Sequence, residues 1–313
     1  MPDLTIRPAQ LDDTQAISQA FIQTVSVWQR LDAHGRVEEV SYDDLSIYER
    51  WLHGGHWMSV ETGAIYLSHL IKAGVMTLAA YDGAALVGYV EAYPSDEPAP
   101  YGEHLHIGHL HAGDAATRTA LLRHTLKAAT GHYRRVTVSF SAYDQETRAF
   151  FINHDFYELA QMRQYAISAQ TGQGFYKAMP TTASPPQSAI KDWHMLSGRT
   201  QSAAHHWHHL WPRHWDAIAE ITAQKTHRLQ LNAAGQDAFV YIQQQLYVTR
   251  AADVYCWSPK PLTGQILIAL RDWAYRADYR TLNMTLAPKD AQLLGSAAEE
   301  MPYQQAIFAF DLR

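Results

Sequence analysis

Residues 104–156 read HLHIGHLHAGDAATRTALLRHTLKAATGHYRRVTVSFSAYDQETRAFFINHDF. His104–His111 alternates and is predicted as a strand. Asp114 stands where a helix cap belongs, and Leu121, Leu122 and Leu126 share one stripe of a helix running to Ala129. Arg135–Ser141 alternates again. Glu146–His154 is a short helix, and Phe156–Ser168 returns to strand. This order is that of helices laid on a sheet, an α/β arrangement.

Outward from this stretch, Leu4–Arg7 is a short strand. Asp12 or Asp13 caps a helix reaching about Arg30, with Ile17, Phe21 and Val25 on one face. Tyr42–His53 and Glu61–Ala73 are further helices, ended by Gly54-Gly55 and Gly74. Val75–Tyr81 and Ala85–Tyr93 flank Asp82-Gly83 as a hairpin. Pro94–Gly102, with three prolines, is a loop. Residues 169–188, rich in Gly, Pro, Ser and Thr, mark a linker between domains 1–168 and 189–313.

The second half repeats the first. A shift of 146 lands Tyr133-Arg134 on Tyr279-Arg280, Val136, Val138 and Phe140 on Leu282, Met284 and Leu286, Asp144 on Asp290, and Leu121-Leu122 on Leu267-Ile268. Nearer the N-terminus a shift of 152 brings Gly83 to Gly235, Tyr89 to Tyr241 and Val90 to Ile242. The change of shift falls in the Pro94–Gly102 loop, where insertions cost least.

The chain has 313 residues, a net charge of −6, 47 % hydrophobic and 18 % charged residues. That composition supports a large core, argues for about two domains and excludes global disorder. It also argues against a nucleic-acid partner, which needs clustered cations. Cys256 is the single cysteine, so no intrachain disulfide or Cys-rich zinc site can form; it reads as a small buried hydrophobe on a strand. The opening residues lack a leader pattern and no apolar run suits a membrane span, so no membrane partner and a cytoplasmic location are expected.

The order of elements around His104–Phe156, repeated in the second half, resembles the GNAT (N-acetyltransferase) superfamily, and the whole chain resembles a tandem two-domain member. The resemblance implies two GNAT-like acyl-CoA N-acyltransferase domains with a mixed sheet. It implies acetyl-CoA as co-substrate, lying between a splayed fourth and fifth strand, with its pyrophosphate on the next helix N-terminus. The family's Arg/Gln-x-x-Gly-x-Gly/Ala turn is degraded: Gly113 falls at the Arg, and Ala116 and Arg118 at the glycines. Thr117, Arg118 and Thr119 are candidate phosphate ligands, and Leu110, His111 and Asp144 complete the expected cofactor contacts. In the second half two prolines in Ser258–Gly264 remove N–H donors, which makes residues 189–313 a degenerate partner. Phe151 occupies the position of the family's thiol-protonating Tyr, a role it cannot fill; Tyr143 and Tyr157 are nearby substitutes.

Transfer to an amine needs a base and an N–H that polarises the thioester carbonyl. His109 and Glu91 are the candidate bases, Tyr143 the candidate acid, and the Leu110 N–H the polarising donor implied by the family. A bulge at Gly108 would turn His109 into the cleft. Trp28, Trp51 and Trp57 are candidate walls for a primary amine on a small molecule or peptide. His104-x-His106 and His205, His208 and His209 raise a metal reading, but no metal is expected. A GNAT-fold protein that binds a ligand or partner without catalysis is the alternative, and homo-oligomerisation is left open.

Overall fold

The computed structural model describes residues 4–32, 34–172, 174–222, 225–245 and 247–312. In chain order the elements are β1 (Leu4–Pro8), α1 (Thr14–Ile22), β2 (Gln29–Leu31), β3 (Val37–Glu39), α2 (Ile47–Trp51), α3 (Val60–Lys72), β4 (Met76–Asp82), β5 (Ala85–Glu97), β6 (Gly102–Ala112), α4 (Ala115–Ala129), β7 (Arg135–Ser141), α5 (Gln145–Ile152) and β8 (Tyr157–Ser168). There follow β9 (Tyr176–Pro180), β10 (His194–Ser197), α6 (Ala203–Leu210), α7 (Ala219–Thr222), β11 (Thr226–Ala233), β12 (Gln236–Gln244), β13 (Ala251–Ser258), α8 (Gly264–Arg276), β14 (Thr281–Leu286), α9 (Pro288–Ala291) and β15 (Ala298–Asp311).

Three local expectations in the first half need correction. The expected Tyr42–His53 helix is a short turn at Tyr42–Asp44, extended backbone at Leu45 and Ser46, and then α2 alone, which Ser46 caps by accepting from Glu49 N–H. The first helix stops at Ile22 instead of continuing to Arg30, and β2 and β3 form a small hairpin. Asp32 drives that turn by accepting from the N–H groups of His34 and Arg36, a local alternative to helix that Asp side chains favour. The proline-bearing loop begins later than expected, because β5 runs through Pro94 to Glu97. Pro94 lacks a donor, but its carbonyl still accepts a bond from Gln187.

The chain forms two compact units that interleave along the sequence. The first comprises Met1–Ala92, His109–Ala128 and Arg213–Ala223; the second comprises Tyr93–Gly108, Ala129–Pro212 and Gln224–Arg313. In the first unit β1 pairs antiparallel with β4, and β4 with β5. Ile17, Trp57, Tyr66, Leu67, Leu70, Leu78, Tyr89 and Val90 are buried there. Trp215 belongs to the same unit and packs edge-on against Trp51 at 4.5 Å.

In the second unit the strand order is β6–β7–β15–β8–β14–β13–β12–β11–β9, with β10 also on β13. The last strand of the chain, β15, therefore lies between β7 and β8. The expected linker contains β9, which pairs with β11. Ile266, Leu267, Leu270 and Ala274 of α8 pack on Val240, Val254, Cys256, Leu282 and Met284. Cys256 is buried, and burial pushes its thiol pKa far up, consistent with an inert core position.

Two hairpin turns aligned by the shift of 152 share a backbone feature. Gly83 between β4 and β5 and Gly235 between β11 and β12 both have positive φ, 60° and 76°, which side chains other than glycine resist.

A buried ion pair fastens the second unit. Glu97 at the end of β5 meets Arg199, whose guanidinium also lies 4.2 Å over the Tyr101 ring. Burial alone would raise the Glu97 pKa, but the charge and hydrogen bonds of Arg199, with His104 and the Ala203 N–H, hold it at about 2. Arg199→Met strands a buried carboxylate and is expected to cost about 3–5 kcal/mol in urea unfolding, whereas adding Glu97→Gln recovers most of the loss.

Candidate active site

The parallel pair β6–β7 joins only at its start. The ladder runs from His104↔Arg135 to Ile107↔Val138, while β6 continues to Ala112 and β7 to Ser141. The remaining residues of β7 pair on its other side, with Ile307↔Ser139 and Gln305↔Ser141. The second half shows the same parting: β13 and β14 pair from Ala251↔Thr281 to Asp253↔Asn283, and both strands go on. Here the chain fills the gap itself. β10 pairs with β13 through His194↔Ser258, Met195↔Trp257 and Ser197↔Cys256. Gly198 N–H donates to Thr285 O of β14, and the Ser197 hydroxyl donates to Val254 O.

Near the parting, β6 carries its histidines in different environments. His104 and His106 are buried. The His106 Nε2–H donates to Gln201 Oε1 at 2.6 Å, which leaves Nδ1 to accept from the Thr137 hydroxyl at 2.9 Å. Desolvation pulls this ring down to about 3, so it is neutral and fully engaged. Gly108 is glycine because of close packing: a Cβ there would lie 2.7 Å from the Tyr93 ring and 2.8 Å from that of His205. Its φ is outside the positive region, so the expected bulge is not what selects glycine.

His109 lies in the first unit and keeps 36 % of its side chain exposed. Its Nε2 is 3.6 Å from Oε1 of Glu91, a fully buried carboxylate on β5. The Tyr89 hydroxyl donates to the other oxygen, Oε2, at 3.1 Å. Desolvation lowers the His109 pKa to about 4, so the imidazole is neutral near pH 7 and can accept a proton. The two candidate bases of the sequence thus stand side by side.

His56, which sequence reasoning missed, completes the group. Its Nε2 lies 3.9 Å from the same Oε1. It follows Gly54-Gly55, read only as a helix end, in a short 3-10 turn of residues 55–58. Its ring lies 3.7 Å from that of Tyr66. Trp57 stacks on Phe21 and meets Tyr89 edge-on, and Phe21 meets His109 edge-on at 5.4 Å. Trp57 is buried core, while Trp28 packs on Tyr42 and His53.

The expected cofactor residues divide. Leu110 and His111 lie on β6 past the ladder with β7. Asp114 caps α4: Oδ1 accepts from the N–H groups of Ala116 and Thr117, and Oδ2 from the Thr117 hydroxyl. Thr117 is therefore buried and committed to Asp114, while Arg118 and Thr119 are half-buried. Those hydrogen bonds keep the Asp114 pKa low, so the turn carries a negative charge. In the second unit Asp144 caps α5 by accepting from Thr147 N–H. Phe151 is buried between Phe140 and Phe156. The Tyr143 hydroxyl donates to Pro302 O, and that of Tyr157 to Asp311.

The His-rich run forms α6, where His205, His206 and His208 are buried and Trp207 stacks on Trp211 at 4.7 Å. His206 Nε2 accepts from the N–H groups of Thr200 and Gln201. Among the described residues, the group whose ligand atoms lie close enough to share an ion is His56, Glu91 and His109, not this run.

Neither family models nor curated proteins match the sequence. Solved structures do. A GCN5-related N-acetyltransferase from Anabaena variabilis ATCC 29413 superposes with a TM-score of 0.63 at 9 % identity, covering 99 % of this chain and 73 % of that one. Eis1 from Mycobacterium abscessus gives 0.55 at 14 %, over 98 % and 73 %. A tandem GNAT protein from the clavulanic acid biosynthesis pathway gives 0.50 at 12 %, over 99 % and 98 %. The fold is that of the GNAT acetyltransferases. In the GNAT order of elements β6 and β7 fall at the fourth and fifth strands, and α4 connects them. No helix among the described residues is long and apolar enough to cross a membrane.

Neutral buried histidines set a pH dependence of stability. The His106 ring binds a proton near pH 6.5 when unfolded and only near pH 3 when folded. Stability is therefore lost as pH falls below about 6.5, by up to roughly 1.4 kcal/mol per pH unit for each such ring, until the folded value is reached. Thermal melts from pH 7 to 4 should show this slope, and His106→Gln should flatten it.

Proposed function

We propose that this protein is an acyl-CoA-dependent N-acyltransferase that moves an acetyl group from acetyl-CoA to a primary amine of a small molecule or peptide. The observation that carries the reading is His109, neutral and part-exposed beside the buried Glu91, on the strand that parts from β7. His109 Nε2 takes a proton from the substrate ammonium. The free amine attacks the thioester carbonyl, whose oxygen the Leu110 N–H polarises. The C–N bond forms, the C–S bond breaks, and CoA leaves as its thiolate. A thiol with a pKa of about 8.5 departs readily without a tyrosine acid. The thiolate then takes up the proton that the acylated nitrogen sheds, and the His109 imidazolium returns its own proton to water. Glu91 offsets the charge of that imidazolium.

Residues 1–168 and 189–313 are read as two copies of one ancestral module, with the thioester taken by the first. In the second, β10 occupies the edge where a pantetheine arm would pair. Arg118 and Thr119 supply phosphate contacts in the first copy. The Asp114 cap opposes them, and with Phe151 it favours the second reading, a GNAT-fold binding protein without turnover.

Calorimetric titration with acetyl-CoA, followed by thiol release over an amine panel, separates these readings. Binding with turnover supports the enzyme, binding alone supports the second reading, and no heat at millimolar acetyl-CoA removes the enzyme reading for both halves. In the active case His109→Ala should lower kcat by about 10²–10⁴ with cofactor affinity unchanged. Asp114→Asn keeps a cap but removes a charge from the α4 N-terminus. It should tighten acetyl-CoA binding by about twofold to fivefold.

A further inference from the structure

We propose that His56, Glu91 and His109 form a binding site for one divalent transition-metal ion of the zinc type. The three come from separate parts of the first unit: the 55–58 turn, β5 and β6. Their ligand atoms all lie within 4.8 Å of one another. A tetrahedral zinc with donors at about 2.0–2.1 Å would hold those donors roughly 3.4 Å apart. The two imidazole Nε2 atoms stand 3.9 and 3.6 Å from a single carboxylate oxygen, Oε1 of Glu91. Side-chain shifts of about an ångström or less close the site around an ion.

The surroundings orient these donors. The Tyr89 hydroxyl engages Oε2 of Glu91 and leaves Oε1 toward the histidines, the outer-shell arrangement that fixes metal-binding carboxylates. His56 is held face-near on Tyr66 and lies 6.5 Å from the Trp215 ring. His109 packs edge-on to Phe21 while its exposed third gives an ion an entry path. Two imidazoles and a carboxylate, with no thiolate, suit Zn²⁺, Co²⁺, Ni²⁺ or Fe²⁺ rather than Cu⁺. Three protein ligands leave a fourth position for water or substrate.

An ion on Nε2 of His109 takes the lone pair that would accept a proton. Metal occupancy and base catalysis at that atom therefore exclude each other. The site stands on its own geometry, independent of the acyltransferase reading.

The test uses the full chain, stripped with chelator and titrated with CoCl₂, with visible d–d absorption as the readout. The site predicts one Co²⁺ per chain with the intense absorption of a four-coordinate ion, displaced by Zn²⁺. Glu91→Gln and His109→Gln should each weaken binding at least tenfold, and Tyr89→Phe by about tenfold through its outer-shell bond. Circular dichroism establishes that each variant is folded. His109→Gln, at a part-exposed position, keeps the test decisive if Glu91→Gln does not fold. No such absorption in the wild type, or absorption that survives in folded His109→Gln, overturns the site.

Discussion

A parallel strand pair that stops pairing part-way leaves two rows of backbone donors and acceptors, and folded proteins do not leave such groups unanswered. This chain contains that arrangement twice. Between β13 and β14 the answer comes from the protein's own backbone, as β10 pairs along β13 and Gly198 reaches β14. Between β6 and β7 the ladder ends at Ile107↔Val138, and the residues of β6 beyond it include His109 and Leu110. The functional reading follows from this asymmetry. One gap is closed by β10, and the other is the one that the proposed function gives to an extended ligand.

The neighbourhood of β6 shows how one residue type takes several roles. His104 is tied to the Gly102 carbonyl and faces the Glu97–Arg199 pair. His106 is bonded at both nitrogens. His109 alone of these three joins a buried carboxylate to an exposed edge. Environment, not composition, separates a structural imidazole from a reactive one. The same contrast applies to α6, whose histidines are enclosed among Tyr93, Tyr255 and the Trp207–Trp211 stack.

Much of the fold was legible in the sequence because it rests on short-range patterns. The Leu121–Leu122–Leu126 stripe, the alternation of Arg135–Ser141 and the turn glycines Gly83 and Gly235 lead directly to α4, β7 and two hairpins. Glu91 and His109 were also found as candidates, since a base on either of two neighbouring strands follows from strand order. His56 was not. It reaches the group through a turn that no periodicity describes. The Thr117 hydroxyl, read as a phosphate ligand, is taken by Asp114 three residues earlier, a local bond that outcompetes a distant role. The placing of β15 between β7 and β8 depends on pairing over more than 130 residues, which no local pattern encodes.

The central claim is that the β6–β7 parting, and not the β13–β14 one, receives a thioester carrier. Amide hydrogen exchange, compared with and without acetyl-CoA, tests it most directly. The account predicts slower exchange at residues 108–112 and no change at residues 254–258, where β10 already pairs. Unchanged exchange at 108–112 under saturating acetyl-CoA, or new protection confined to 254–258, would contradict it.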